Sequence, residues 1–169
     1  MMASQAKRIS FIALLATLAL IFSYVEMLIP FSFGIPGIKI GIANVVILIA
    51  LYSYDFKTAF SVNFIRIIVA GLLFNGFFAA IYSLAGGIIS LVIMSLLKKT
   101  DKFSIVGVSA CGGVFHNLGQ ITIAAIIVQS PKLFLYFPVL IFSGLATGIA
   151  VGIISYLILN NLPKDLLQQ

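Results

Sequence analysis

One apolar run, residues 103–128, constrains the fold of this chain more than any other feature. It is longer than the roughly 20 mostly apolar residues that a helix needs to cross a bilayer. At helical spacing its small and polar residues share one face, formed by Ser109, Gly113, His116, Asn117, Gln120 and Ala124. The other faces are apolar, and a membrane helix of this kind turns its polar face away from lipid. The pattern therefore predicts that this face lines a cavity, and we take that cavity as the candidate functional site.

Similar apolar runs recur along the chain, which is 62% hydrophobic and only 8% charged. That composition is typical of a polytopic membrane protein. We predict a single integral membrane domain over residues 1–169, an all-α bundle of about six transmembrane helices. The predicted spans are 8–29, 42–54, 59–74, 77–97, 103–129 and 134–159. The second is short for a full crossing, so we expect it to start partway into the bilayer.

The N-terminal segment could also be interpreted as a secretory signal peptide, since basic residues 7–8 precede the apolar stretch 11–22. The apolar run continues to Ile29 without a break, and further spans follow. We therefore interpret it as a retained first helix. Residues 30–41 are rich in Gly and Pro, which favours a structured loop or re-entrant segment instead of a helix.

The basic residues indicate how the bundle is oriented. Six spans put both termini on one side, and most basic side chains fall there: Lys7, Arg8, Lys57, Lys98, Lys99, Lys102 and Lys164. Lys39 and Lys132 fall on the other side. The positive-inside rule then predicts a plasma-membrane protein with both termini cytoplasmic and the 30–41 loop outside. The net charge of +6 is explained by this asymmetry, so we expect the lipid bilayer and no nucleic acid as a partner.

A polar set within the spans converges on the outer half of the predicted bundle. Its members are Glu26, Lys39, Asn44, Arg66, His116, Asn117 and Gln120. Ionisable side chains inside a bilayer are costly and mark a pathway, a partner or a ligand. With one acid among them, the set is net cationic and favours an anionic or carbonyl-rich solute. We expect aromatic lining from Phe31, Phe33 and Tyr82.

Each member of this set also has a structural interpretation. Arg66 and Glu26 could form an ion pair that serves only the fold, although Glu26 lies nearly at the outer end of its helix. The polar residues of span five could hydrogen-bond neighbouring helices. Lys39 could extend to the interface. The glycines of span six, at 144, 148 and 152, have the spacing of a helix-packing motif.

Several chemistries lack their sequence signatures. The chain has no phosphate-binding loop with Lys and Ser/Thr, no metal-ligand cluster and no spacing typical of a catalytic triad. Its four acids are scattered, so no aspartate-rich motif could hold Mg²⁺ against a diphosphate. We therefore predict no enzyme activity of its own, no cofactor and no metal.

The chain resembles a known family in four segments. These are residues 36–44 (PGIKIGIAN), Arg66, residues 83–87 (SLAGG) and residues 116–120 (HNLGQ). They resemble the Gx transporter family, also labelled heptaprenyl diphosphate synthase component I, over nearly the whole chain. That family is similar in architecture to the S components of energy-coupling-factor transporters. The resemblance implies a six-helix bundle that captures a vitamin-like solute and docks onto a transmembrane scaffold with two ATPases.

Under that resemblance, a stripe of small residues on span one is a candidate docking face. It consists of Ala16, Ala19 and Ser23, without the strict Ala-x-x-x-Ala pair usual in S components. The leading hypothesis is thus a solute-binding and uptake component for a vitamin, flavin, or quinone or isoprenoid precursor. One alternative is a non-catalytic subunit of an isoprenoid, quinone-biosynthetic or electron-transfer complex. Another is an independent or proton-coupled carrier that uses Glu26 and His116.

Overall fold

The computed structural model of the protein describes residues 2–29 and 41–162. Within these ranges it contains six helices and no strand, which confirms the predicted all-α class. The helices are α1 (Met2–Leu28), α2 (Ile42–Ser53), α3 (Phe56–Ala70), α4 (Phe77–Lys99), α5 (Ile105–Ile127) and α6 (Phe137–Asn161). A π-helical turn, Gly71–Asn75, continues α3, and a 3-10 turn, Pro131–Tyr136, leads into α6.

Two of the helices begin at polar caps that the sequence supplies. Asp55 precedes α3 and accepts a hydrogen bond from the Thr58 N–H at 2.7 Å. Ser104 precedes α5 and accepts one from the Gly107 N–H at 3.1 Å. Each cap satisfies a backbone donor that the first helical turn leaves unpaired.

Five helices are long and apolar enough to cross a membrane, and α2 is the exception. Its 12 residues span about 18 Å at 1.5 Å per residue, well short of the roughly 30 Å hydrocarbon core. The helix lies in the interior, in contact with α1, α3 and α6. Eight of its residues are buried: Ala43, Val45, Val46, Ile47, Leu48, Ala50, Leu51 and Ser53. The prediction of a short second helix is confirmed, and burial in protein explains how it avoids lipid contact.

Side-chain contacts show which helix ends lie together. At one end, Arg8 of α1 pairs with Asp55 before α3 at 2.9 Å, and Lys98 Nζ of α4 donates to the Leu51 carbonyl of α2 at 2.6 Å. We call this the basic end, because Lys57, Lys99 and Lys102 lie in the same turns. At the opposite end, the rings of Tyr24 and Phe74 meet with centroids 5.5 Å apart. Successive helices therefore run in opposite directions.

Helices α4, α5 and α6 approach one another through glycine. A Cβ added at Gly148 would lie 2.6 Å from the Ser109 carbonyl oxygen, and one at Gly152 would lie 2.7 Å from the Val106 Cα. A Cβ at Gly119 of α5 would lie 2.8 Å from the Gly86 Cα of α4. The glycines of span six thus pack against the backbone of α5, which confirms the helix-packing prediction.

The small stripe of α1 does not form an outer face. Ala16 and Ala19 are buried in the core cluster that α1 shares with α2 and α3, and Ser23 is buried beside Arg66. That these residues form a docking face stays a prediction, and their burial does not favour it. Their small size serves close packing inside the bundle, the ordinary reason for such residues between membrane helices.

Candidate functional site

A cavity of about 190 Å³ lies inside the bundle, and all six helices contribute to its wall. Six of the seven predicted solute-binding residues line it: Glu26, Asn44, Arg66, His116, Asn117 and Gln120. The seventh, Lys39, lies outside the described residues. Along α4 the wall extends from Ala79 to Met94, about 22 Å at the rise of an α-helix. The separate helices therefore bring six of the predicted polar residues to one cavity.

Arg66 places a positive charge on this wall from the middle of α3. Its guanidinium donates to Asn63 Oδ1 at 2.7 Å, and more weakly to Asn44 Oδ1 and Ser23 Oγ, each at 3.4 Å. Its Nε is buried and has no hydrogen-bond partner among the described residues. The neutral oxygens orient the guanidinium and solvate part of it, but they do not neutralise its charge.

Glu26 lines the same cavity from the end of α1. Its Oε1 accepts a hydrogen bond from the Gly41 N–H, immediately before α2. The carboxylate is near enough for a Coulombic interaction with Arg66. In the described part of the chain, however, the ion pair within 4.0 Å joins Arg8 and Asp55, not Glu26 and Arg66. Direct pairing of Glu26 with Arg66, the structural alternative, is not formed here.

The polar face of α5 lines the cavity as the helical spacing predicts, except at Ala124. Its residues differ in how they are used. Asn117 Nδ2 donates to the Leu140 carbonyl at 2.8 Å and to Ser143 Oγ at 3.3 Å, so this amide ties α5 to α6. Gln120 is half-buried on the wall and makes no side-chain hydrogen bond with another described residue. Gln120 is therefore the better placed of the two amides to contact a solute.

The described wall also holds polar residues outside the predicted solute-binding set, although Ser109 belongs to the face predicted to line the cavity and Ser23 to the predicted docking stripe. These polar residues are Ser23, Asn63, Asn75, Ser83, Ser90, Ser109 and Thr147. The sequence could have indicated Asn63 as a neighbour of Arg66, because it precedes Arg66 by three residues and shares its face of α3. The sequence gives no such indication for Thr147 and Asn75, since each reaches the cavity through the position of its helix in the bundle.

The expected aromatic lining is not found among the described residues of the cavity wall. Tyr82 is absent from the wall, and the side chains that line it in the described part of the chain include no Phe or Tyr. Phe31 and Phe33 lie outside the described residues. The wall that the structure describes instead combines hydroxyls, amides and small residues with apolar side chains such as Met27, Ile47 and Leu48. Arg66 and Glu26 are its two formally charged groups.

This arrangement defines a class: a multi-pass membrane protein whose helices surround a cavity that carries polar groups and two charges. A family model described as heptaprenyl diphosphate synthase component I matches residues 15–158. The match covers most of the chain and all described cavity residues, and the protein belongs to that family. No curated protein and no solved structure matches the chain.

Proposed function

We propose that this protein is a membrane-embedded binding and uptake component for a small anionic or carbonyl-rich solute. The observation that carries the proposal is Arg66, whose charge faces the cavity without an ion-paired carboxylate among the described residues. An uncompensated cation inside a bilayer is costly, and a bound anionic group offsets that cost. Vitamin-like compounds and cofactor precursors with a carboxylate or phosphate belong to this class of solute.

In this proposal, the polar residues around Arg66 have different roles in solute binding. Asn63, Asn44 and Ser23 hold the guanidinium in place, so that its remaining donors face the anionic group. Across the cavity, His116 and Gln120 contact the polar edge of the solute by hydrogen bonds. Asn44 and Asn117, both predicted as direct ligands, act mainly as positioning residues in this scheme.

Transport by this scheme needs an energy source, and the chain has no phosphate-binding loop of its own. We propose that it works as energy-coupling-factor S components do, with a transmembrane scaffold and two ATPases. The buried small stripe of α1 gives no support to docking through that face. Copurification of ATPases with the native protein would support this partnership, and recovery of the protein without them would count against it.

The family description favours a second candidate, a non-catalytic membrane subunit of an isoprenoid or quinone-biosynthetic complex. The described residues offer no group of three or more His, Cys, Asp and Glu that could hold a metal ion. The four acids of the full sequence lie too far apart for an aspartate-rich motif. We therefore propose that the chain is not itself an enzyme. Copurification with a soluble prenyltransferase, in place of ATPases, would favour this second candidate.

We also propose an orientation with the basic end in the cytoplasm, by the positive-inside rule. Ser104 lies at that end, and Ser130 lies between α5 and α6 at the opposite end. In a Cys111→Ser background, Ser130→Cys should react with an impermeant maleimide added to intact cells. Ser104→Cys should react only after the membrane is opened. The reverse pattern of labelling would contradict the orientation.

The binding proposal is tested by the small molecules that the purified protein retains. Mass spectrometry of extracts from the wild type should identify an anionic or carbonyl-rich compound, and Arg66→Gln should retain none. Arg8→Gln is the matched control, because it removes an arginine that lies outside the cavity. Equal retention by the wild type and Arg66→Gln would contradict the proposal.

A further inference from the structure

Two opposite charges line one cavity inside the bundle without forming an ion pair. Glu26 projects from the end of α1 and Arg66 from the middle of α3, and they are not within 4.0 Å of each other. We infer that the solute is a zwitterion of the amino-acid type, with its carboxylate on Arg66 and its ammonium group on Glu26. This inference rests on the proposed function and names the class of compound that the cavity takes.

Local hydrogen bonds keep the two charges apart. The guanidinium of Arg66 is engaged by Asn63 of its own helix at 2.7 Å and is directed toward Asn44 of α2. The carboxylate of Glu26 is engaged by the backbone N–H of Gly41, where φ is +79°. Each charged group is thus held by a neutral partner, and neither forms an ion pair within 4.0 Å with another described residue.

The electrostatics of the cavity then distinguishes a simple anion from a zwitterion. A simple anion compensates Arg66 but is repelled by Glu26, and inside a membrane the low dielectric strengthens both effects. A zwitterion compensates the cation and the anion together. Among the described lining residues, Arg66 and Glu26 are the only members of the group Asp, Glu, Lys and Arg. The described wall therefore carries one charge of each sign and favours a solute of zero net charge.

A structural role for Glu26 accounts for only part of its placement. A carboxylate near the start of α2 is favoured by the partial positive charge of the helix N-terminus. That role needs one acceptor oxygen, which a neutral Gln would also supply. The second oxygen, Oε2, accepts no hydrogen bond from another described residue, and in our proposal it accepts one from the ammonium group of the solute. Glu26→Gln therefore distinguishes the two roles.

The size and lining of the cavity agree with a small polar zwitterion. Its volume of about 190 Å³ is below the roughly 300–1,000 Å³ of sites for drug-sized ligands. Ser23, Asn63 and Gln120 are typical of its described wall, where hydroxyl and amide groups surround the two charges. Such groups satisfy the donors and acceptors of a compact polar molecule. Apolar side chains such as Ile47, Leu48 and Val151 line the rest of the cavity.

The test uses the full-length protein in lipid nanodiscs and isothermal titration with each proteinogenic amino acid. For the amino acid that binds most tightly, two matched probes are added: the acid that lacks its amino group and the amine that lacks its carboxylate. We expect the amino acid to bind at least about tenfold more tightly than either probe, because each probe leaves one buried charge unmatched. Glu26→Gln should weaken binding of the amino acid by about tenfold. Binding of the deaminated acid should be unchanged or tighter.

Three results would overturn the inference. The first is that no proteinogenic amino acid binds. The second is that the deaminated acid binds the wild type as tightly as the amino acid or more tightly. The third is that Glu26→Gln binds the amino acid as tightly as the wild type does or more tightly. The first two comparisons use the wild type alone, so they stand even if a variant does not fold. If a deaminated acid binds and Arg66→Gln abolishes that binding, the proposed function holds and only the zwitterion is excluded. If no carboxylate compound binds and Arg66→Gln retains the same extracted molecules as the wild type, the proposed function itself fails.

Discussion

The two sides of the cavity are built in different ways. On the side of α1, α2 and α3, the wall carries Glu26 and Arg66, and the helices pack through Ala, Val, Ile and Leu. On the side of α4, α5 and α6, the described wall carries neutral hydroxyls, amides and His116, and the helices meet through glycine. The charged side is thus surrounded by a well-filled apolar core, whereas the neutral side is set by close backbone contacts.

This difference indicates a division of labour between the two halves. On the α1–α3 side, polar groups hold two charges in place. Charges inside a membrane need fixed hydrogen-bonding partners. The α4–α6 side forms a rigid backbone surface, because glycine contacts leave no side chain that could yield. Changes at the glycines should therefore affect folding most, and changes at the two charges should affect binding.

The largest expected effect is on the glycine side. Gly148→Leu places a bulky side chain where even a Cβ would lie 2.6 Å from the Ser109 carbonyl oxygen. Since that neighbour is backbone, we expect a loss of about 3 kcal/mol or more in stability, at the upper end of overpacking effects. The thermal unfolding midpoint in detergent measures it. An unchanged midpoint would show that α5 and α6 are not in this contact.

A matched pair of alanine variants controls for residue type. Gly148→Ala adds only the clashing Cβ, whereas at Gly107 the nearest atom to an added Cβ is at 3.5 Å, an ordinary contact. Gly107→Ala should be neutral or stabilising, because Ala loses less conformational freedom than Gly in a helix. Equal effects of the two variants would remove the distinction between the two sides.

The next effect is on the charged side and concerns binding instead of folding. Arg66→Gln removes the charge that faces the cavity, and we expect the affinity for the extracted solute to fall by about 3 kcal/mol, or more than 100-fold. Neutralising a costly buried cation should leave the unfolding midpoint nearly unchanged. If Arg66→Gln and Glu26→Gln both destabilise the protein while solute affinity stays normal, the charges serve only the fold.

A smaller effect separates two neighbours on α5. His116→Ala should weaken solute binding by about 1–2 kcal/mol, as expected for one lost hydrogen bond. Asn117→Ala is the control, since its amide donates to the Leu140 carbonyl of α6. It should lower stability by about 1 kcal/mol and change affinity little. The opposite assignment of the two effects would show that Asn117, not His116, contacts the solute.

The smallest effect lies at the basic end, outside the cavity. Burial opposes ionisation of Asp55, but hydrogen bonds from Thr58 and the nearby Arg8 guanidinium outweigh it and hold the pKa of this carboxyl below its ordinary value. Asp55→Asn keeps an acceptor for the Thr58 N–H and loses the exposed ion pair with Arg8. We expect a loss of about 0.2–1 kcal/mol in stability at neutral pH.

The pH dependence of this loss has a defined sign. Because the pKa of Asp55 is lower in the folded state, its contribution is fully present above the unfolded value of about 3.9. It disappears as the pH falls through the folded pKa. The difference between the wild type and Asp55→Asn should therefore be constant from pH 7 to about pH 5 and shrink below about pH 4. Asp101→Asn is the control, since Asp101 has no described ion pair.

The sequence alone determined the class of the fold and indicated most of the polar residues that line the cavity. Apolar runs of membrane-spanning length leave few alternatives to a helical bundle, because the bilayer interior forces backbone groups to bond within each helix. The polar face of residues 109–120 then had to face inward, and six predicted residues do line one cavity. The glycine spacing of α6 likewise determined a packing face.

The tertiary structure decided which partner each polar group meets. Helical periodicity shows which residues share a face, but it does not show which neighbouring helix covers that face. For this reason the sequence could not show that Asn117 binds α6, that Ala16 packs inside the core, or that Tyr82 misses the cavity. Nor could the sequence give the distance between the charged groups of Glu26 and Arg66, since that distance depends on how α1 and α3 pack around the short, buried α2.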